Sequence, residues 1–227
     1  MIFLFYRRVL GQLSYASIFA GWVVRGYYRR CWMFAPYLVV VWVGETGPWV
    51  FPSLHTWDFY FAKEGIVAAL KVLLAFELYL RLFAGLPGVR RIANLPLLGL
   101  LVLTLGMLSR TYLHTEATDL FFAIVPVATV GITLIFTLIL GLAAWFRVPA
   151  LPIHRSILRG LVVYQLVSNF GLQVFSIFGF AVQRLYNNVV PGSYTVLLMY
   201  WAVVVWRGRE EEAAPPAVVQ RLRAWAS

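Results

Sequence analysis

Uncharged runs of membrane length dominate the chain: residues 92–109, 120–146, 160–183 and 185–206 carry no Asp, Glu, Lys or Arg. A helix needs about 20 such residues to cross a hydrocarbon core about 30 Å thick. Only 12% of the 227 residues are charged and 62% are hydrophobic, whereas a soluble domain carries about 25% charged and about 45–50% apolar residues. That little charge cannot cover a water-exposed surface, so a soluble globule is excluded. Disorder is excluded too, because disordered chains are rich in charge and poor in aromatics.

Two further runs are interrupted. Residues 31–54 are apolar apart from Glu45, and residues 58–83 apart from Asp58, Lys63, Glu64, Lys71, Glu77 and Arg81. The first run, residues 9–24, is the shortest, with Arg7-Arg8 before it and Arg25, Arg29 and Arg30 after it. Its Gly11, Ser14, Ser17 and Gly21 recur at helical spacing and form a small-residue face suited to close helix packing. The expected fold is therefore all-α, a polytopic bundle of seven transmembrane helices. The alternative is six spans, with residues 9–24 lying in the interface.

Arginines orient the bundle. They gather around residues 25–30, 81–91, 147–159 and from 207 onward, while the alternate turns hold only Arg110 and Arg184. The positive-inside bias then puts the N-terminus outside and the C-terminus in the cytoplasm. Residues 1–206 read as one seven-helix domain, and residues 207–227 as a short cytoplasmic tail. In the tail, Ala213-Ala214-Pro215-Pro216 breaks the chain ahead of residues 218–225, a stretch able to dock on lipid or on a partner. Asn187-Asn188 and Pro191-Gly192 read as a turn, so the last span is expected to begin after them.

The net charge of +10 sits at the ends of apolar runs, where anionic headgroups account for it, and nucleic acid is not an expected partner. The single cysteine, Cys31, forms no internal disulfide. The lipid bilayer and other membrane subunits are the expected partners. The Trp, Tyr and Phe residues suit interfacial belts, and equally contact with lipid, quinone or pigment. Haem is disfavoured, since no two histidines face each other at depth.

Polar residues within the runs are the candidate sites. Lys71 falls near the middle of its run, where an unpaired Lys costs about 2.5–3.5 kcal/mol, so it should face a counter-charge. Glu64, seven residues earlier on the same helical face, and Glu45, on the preceding run at a depth expected to match, make up the predicted intramembrane centre. Glu77 and Arg81 are spaced as an ordinary intrahelical pair, and Lys63 is expected to reach the outer headgroups. Gln165, Asn169 and Gln173 repeat every four residues as a polar face, with Tyr164 and Ser168 beside them. Such amides either bond neighbouring helices or line a path. Thr129, Thr133 and Thr137 repeat the pattern, though Thr often bonds its own backbone. His55 and Asp58, with His114, Glu116 and Asp119, stand in two outer loops as low-ranking metal ligands whose spacing fits no zinc motif.

No nucleotide-binding or nucleophile motif occurs, and the last span has no Lys for a retinal Schiff base. Tyr60-Phe61, Glu64, Glu77-Leu78-x-x-Arg81, Pro87-Gly88-x-Arg90-Arg91, Tyr200-Trp201 and Trp206-Arg207 together resemble a group of uncharacterised bacterial seven-helix proteins. The resemblance implies the bacterial inner membrane and brings no activity with it. The expected function is a non-catalytic subunit or sensor-like module of a larger membrane complex. A small proton- or ion-coupled carrier using Lys71 is the first alternative, and a hydrolase with an outer metal the second.

Overall fold

The computed structural model describes residues 2–114, 120–148 and 151–207. Among these the regular structure is helical throughout: α1 Ile2–Val24, α2 Phe34–Val50, α3 Trp57–Phe83, α4 Pro87–His114, α5 Leu120–Trp145, α6 Pro152–Phe178 and α7 Gln183–Arg207. Three stretches are long and apolar enough to cross a membrane: Gly88–Leu113, Ala123–Trp145 and Pro152–Arg207, with mean hydropathies of 2.0, 2.5 and 1.6. The helices form two compact units, one of α1, α6 and α7 and the other of α2 to α5. The tail beyond Arg207, including its Pro-Pro break, lies outside the described residues.

In the first unit the longest apolar stretch folds back on itself. The break is a 3-10 turn at Gly179–Val182, entered through Gly179 at φ 59° and ψ −140°, a conformation open to Gly and to almost no other residue. Gly160 abuts Leu197 and Trp201, Tyr164 meets Tyr194, and Gly171 abuts Val190 and Tyr186. This order makes α6 and α7 an antiparallel hairpin.

The turn expected at residues 187–192 is thus misplaced. Those residues lie inside α7, with Pro191 in mid-helix. A proline at 191 removes the N–H that would bond the carbonyl of Asn187. The guanidinium of Arg7 on α1 donates to that carbonyl at 3.3 Å, while the Asn188 amide bonds back to Arg184 O at 2.8 Å. The local turn signal is overridden because the freed acceptor finds a donor on another helix.

The partner helix α1 begins at Ile2, not at residue 9, and so carries Arg7 and Arg8 within it. It runs parallel to α7. Arg7 binds near the start of α7, Tyr15 donates to Tyr194 at 3.3 Å, Trp206 Nε1 donates to Ser17 at 3.0 Å, and Arg25 donates to the carbonyl of Trp206 at 2.8 Å. Part of the small-residue face makes the approach close, although Gly11 has nothing within 4 Å. Ser14 is buried and Gly21 lies against Val205 and Trp206, where any Cβ would clash.

The second unit is built on α3, which packs on α2 and α5, while α4 packs along α5. Gly131 of α5 sits against Thr104 of α4. Thr104, Thr129 and Thr133 bond the carbonyls of Leu100, Val125 and Thr129, one turn back, at 2.7 to 2.8 Å. Their hydroxyls therefore serve the local backbone, and Thr137 is exposed.

Candidate functional site

The most elaborate polar centre is built around Glu77. It lies in the last two turns of α3, and helical spacing places Arg81 one turn further on. Oε1 accepts from Arg81 Nε at 2.8 Å and from the backbone N–H of Trp32 at 3.0 Å. Oε2 accepts from the N–H of Met33 at 2.9 Å and from the Cys31 thiol at 3.5 Å. The carboxylate is only 7% exposed.

Met33 is the N-cap of α2, its side chain makes no capping bond, and the first turn of α2 has no acidic residue. Glu77 supplies from α3 the negative charge that a helix N-terminus favours. An ionised carboxylate has about four acceptor sites, and four donors meet it here. Cys31, which precedes α2, is fully buried. Burial first, and the Glu77 charge second, push its thiol pKa up, so Cys31 stays a protonated donor. This arrangement anchors the segment ahead of α2 to α3. It is more than the ordinary intrahelical pair that the spacing implied, because its other partners are two backbone groups and a thiol more than forty residues away, which no residue pattern reveals.

At the other end of α2 and α3, Thr56 caps α3 by accepting the N–H of Phe59 at 3.3 Å. Lys63 pairs with Glu64 at 2.8 Å, and its side chain is 19% exposed. Its stem lies against Gly44 of α2, so Lys63 is folded onto the neighbouring helix instead of reaching outward. His55 Nδ1 lies 3.1 Å from the hydroxyl of Tyr60.

Gly44 opposite Lys63 and Met33 opposite Glu77 fix an antiparallel register. That register sets Glu45 level with the Lys63–Glu64 pair, not with Lys71, which is half-buried eight residues further along α3, about 12 Å away. The expected matching depth of Glu45 and Lys71 is corrected accordingly.

The amide row on α6 spans three environments. Gln165 is buried, Asn169 half-buried and Gln173 exposed. Beside Gln165, Tyr164 packs against Tyr194 at 5.0 Å between ring centroids, and Tyr194 accepts from Tyr15. This tyrosine cluster joins α1, α6 and α7. Sequence reasoning noticed Tyr164 alone, since its partners lie far away in the chain.

Asp58 stands in the first turn of α3, where a carboxylate suits the helix dipole. The side chain of His114, and all of Glu116 and Asp119, lie outside the described residues. Among the described residues no three His, Cys, Asp or Glu gather to hold a metal. His154 is buried, with Nε2 2.9 Å from the carbonyl of Arg30. An apolar cavity of about 430 Å³ lies between α6 and α7, lined by Phe170, Gly171, Val174, Leu185, Tyr186 and Val190, and its chemistry suits a hydrocarbon tail.

Set against family models, curated proteins and solved structures, the chain matches none.

Proposed function

We propose that this chain is a non-catalytic integral membrane protein with seven spans, serving as a subunit or sensor-like module of a larger membrane complex. The observation that carries the reading is the Glu77 centre. The most deeply buried carboxylate among the described residues is fully engaged by two backbone N–H groups, a thiol and the arginine one turn away. Such a group holds helices in place and has no acceptor left for a substrate or a travelling proton.

The topology belongs to the same proposal. In a chain with its N-terminus outside and its C-terminus inside, the first and last helices run in the same direction, as α1 and α7 do. The arginine alternation and the resemblance to bacterial seven-helix proteins favour the bacterial inner membrane, with lipid and other membrane subunits as partners. Extraction in a mild detergent, followed by identification of every co-purifying chain and pigment, tests the reading. Partner chains in fixed ratio are expected. A lone chain with a turnover of its own would overturn it.

A small proton- or ion-coupled carrier is the second reading. It is favoured by Lys71 in the middle of α3, with Glu64 two turns away on the same face. Flux in proteoliposomes that Lys71→Met abolishes would support it, and flux unchanged by that substitution would remove it.

A further inference from the structure

The groove between α3, α4 and α5 is apolar along its length and polar at one end only. It encloses about 160 Å³ and is lined by Val72, Phe76 and Tyr79 of α3, Asn94 and Leu98 of α4, and Ile139 of α5. At the polar end the Tyr79 hydroxyl shares its one proton between the carbonyl of Arg90, at 3.0 Å, and the side-chain oxygen of Asn94. Beyond it, Arg90 and Arg91 are both exposed in the first turns of α4.

Helical spacing puts Arg90, Arg91, Asn94, Leu98 and Leu101 on one face of α4. Along that face the order is two cations, a hydrogen-bonding pair, then a hydrocarbon-lined trough. An amphiphile has the same order: anionic head, ester-bearing neck, apolar tail. Basic pockets between helices at a membrane surface are suited to anionic headgroups. The α6–α7 cavity has an apolar lining without such an end.

We propose that this groove binds one acyl chain of an anionic glycerophospholipid, with its phosphate on Arg90 and Arg91 and its glycerol esters beside Tyr79 and Asn94. Arg90 and Arg91 select the charge, and the trough selects the chain. The proposal requires α4 to lie in lipid but is independent of the subunit reading, so its outcome does not turn on whether partner chains co-purify.

Native mass spectrometry of the full chain in detergent tests this, with phosphatidylglycerol and phosphatidylethanolamine of equal chain length as the probes. The intact protein should hold phosphatidylglycerol roughly tenfold more tightly. Arg90→Gln with Arg91→Gln should bring the two lipids to equal affinity. Leu98→Trp, at an exposed position, should weaken both lipids, and Leu101→Trp serves the same purpose if the first variant does not fold. Arg110→Gln, near the other end of α4, should leave the preference intact. Equal binding by the intact protein, or a preference that survives the double glutamine variant, would overturn the proposal. So would loss of the preference in Arg110→Gln, or displacement of the lipid by millimolar inorganic phosphate.

Discussion

Arg7 donates to the carbonyl of Asn187, 180 residues away in the chain, at 3.3 Å, and this is the carbonyl that Pro191 leaves without its helical donor. One contact therefore does two things. It lets α7 continue through a proline, and it sets the register between α7 and α1. Arg25, the residue just after α1, donates to the Trp206 carbonyl at the far end of α7, where a cation suits the helix C-terminus.

The Arg7 contact should be conditional on the proline. Arg7→Ala should destabilise the protein by about 0.5–1.5 kcal/mol, the usual worth of one hydrogen bond. Pro191→Ala restores an N–H for Asn187 O, so in that background Arg7→Ala should cost clearly less. Denaturation in detergent across the four proteins of this double-mutant cycle gives the coupling. Equal costs in the two backgrounds would separate Arg7 from the proline.

Removing the Glu77 carboxylate should be among the most damaging single changes in the second unit. Glu77→Ala leaves Arg81, two backbone N–H groups and the Cys31 thiol without their acceptor. Breaking a buried ionic centre in this way costs about 3–5 kcal/mol. Glu77→Gln keeps one acceptor oxygen and should cost less, roughly 1–3 kcal/mol. Thermal unfolding of the two variants in detergent would show the order, and a harmless Glu77→Ala would contradict the role assigned to this centre.

Cys31 should be inert in the folded protein. It is fully buried, and burial, then Glu77, raise its thiol pKa, whereas the thiolate is the reactive form. A maleimide should label it only after unfolding or in Glu77→Ala. A raised thiol pKa also means that the folded state holds the proton more tightly than the unfolded state. The resulting stabilisation is complete below the ordinary thiol value of about 8.5 and is lost as pH rises above it. The intact protein should therefore lose more stability than Cys31→Ser between about pH 8 and pH 10. Identical slopes would dissociate Cys31 from that loss.

Close packing at Gly160 should tolerate no side chain. A Cβ there would stand 2.5 Å from Leu197 Cδ1 and 2.8 Å from Trp201 Nε1. Leu197 can rotate away, but Trp201 is fully buried and its Nε1 donates to Ser156 O at 3.4 Å. Gly160→Ala should cost about 1–3 kcal/mol through overpacking. Gly99→Ala on α4, which meets nothing within 4 Å, should be neutral or gain up to about 1 kcal/mol of helix propensity. The difference between the two in one unfolding assay is the measurement, and equal effects would remove the packing argument.

The helices were legible in the sequence because a membrane-length run needs only apolar residues in succession. Their ends were less so. Gly179 lies within an unbroken apolar run, Phe178-Gly179-Phe180, and gave no polar signal of a turn. Asn187-Asn188 and Pro191-Gly192 gave a strong one, which Arg7 overrides from another helix. The candidate site divided along the same line. Lys71 stood out because a charge amid apolar residues is visible in one dimension. Glu77 was visible only as a partner for Arg81, since its other ligands are the backbone of Trp32 and Met33 and a thiol more than forty residues away.

The α1 helix carries the sharpest test of the topology. Arg7 and Arg25 are 18 residues apart, about 27 Å along a helix, close to the ~30 Å of a hydrocarbon core. They reach two carbonyls of α7 that are a similar distance apart, Asn187 and Trp206. An interfacial helix lying flat would put both arginines on one side of the membrane, whereas a helix following α7 across puts them on opposite sides. Cysteines introduced into a Cys31→Ser background at the exposed positions Tyr6 and Tyr28 report the difference. A membrane-impermeant maleimide should label Tyr6→Cys in intact cells, and Tyr28→Cys only after lysis. Labelling of both, or of neither, before lysis would lay α1 in the interface, reduce the spans to six and separate the direction of α7 from that of the N-terminus.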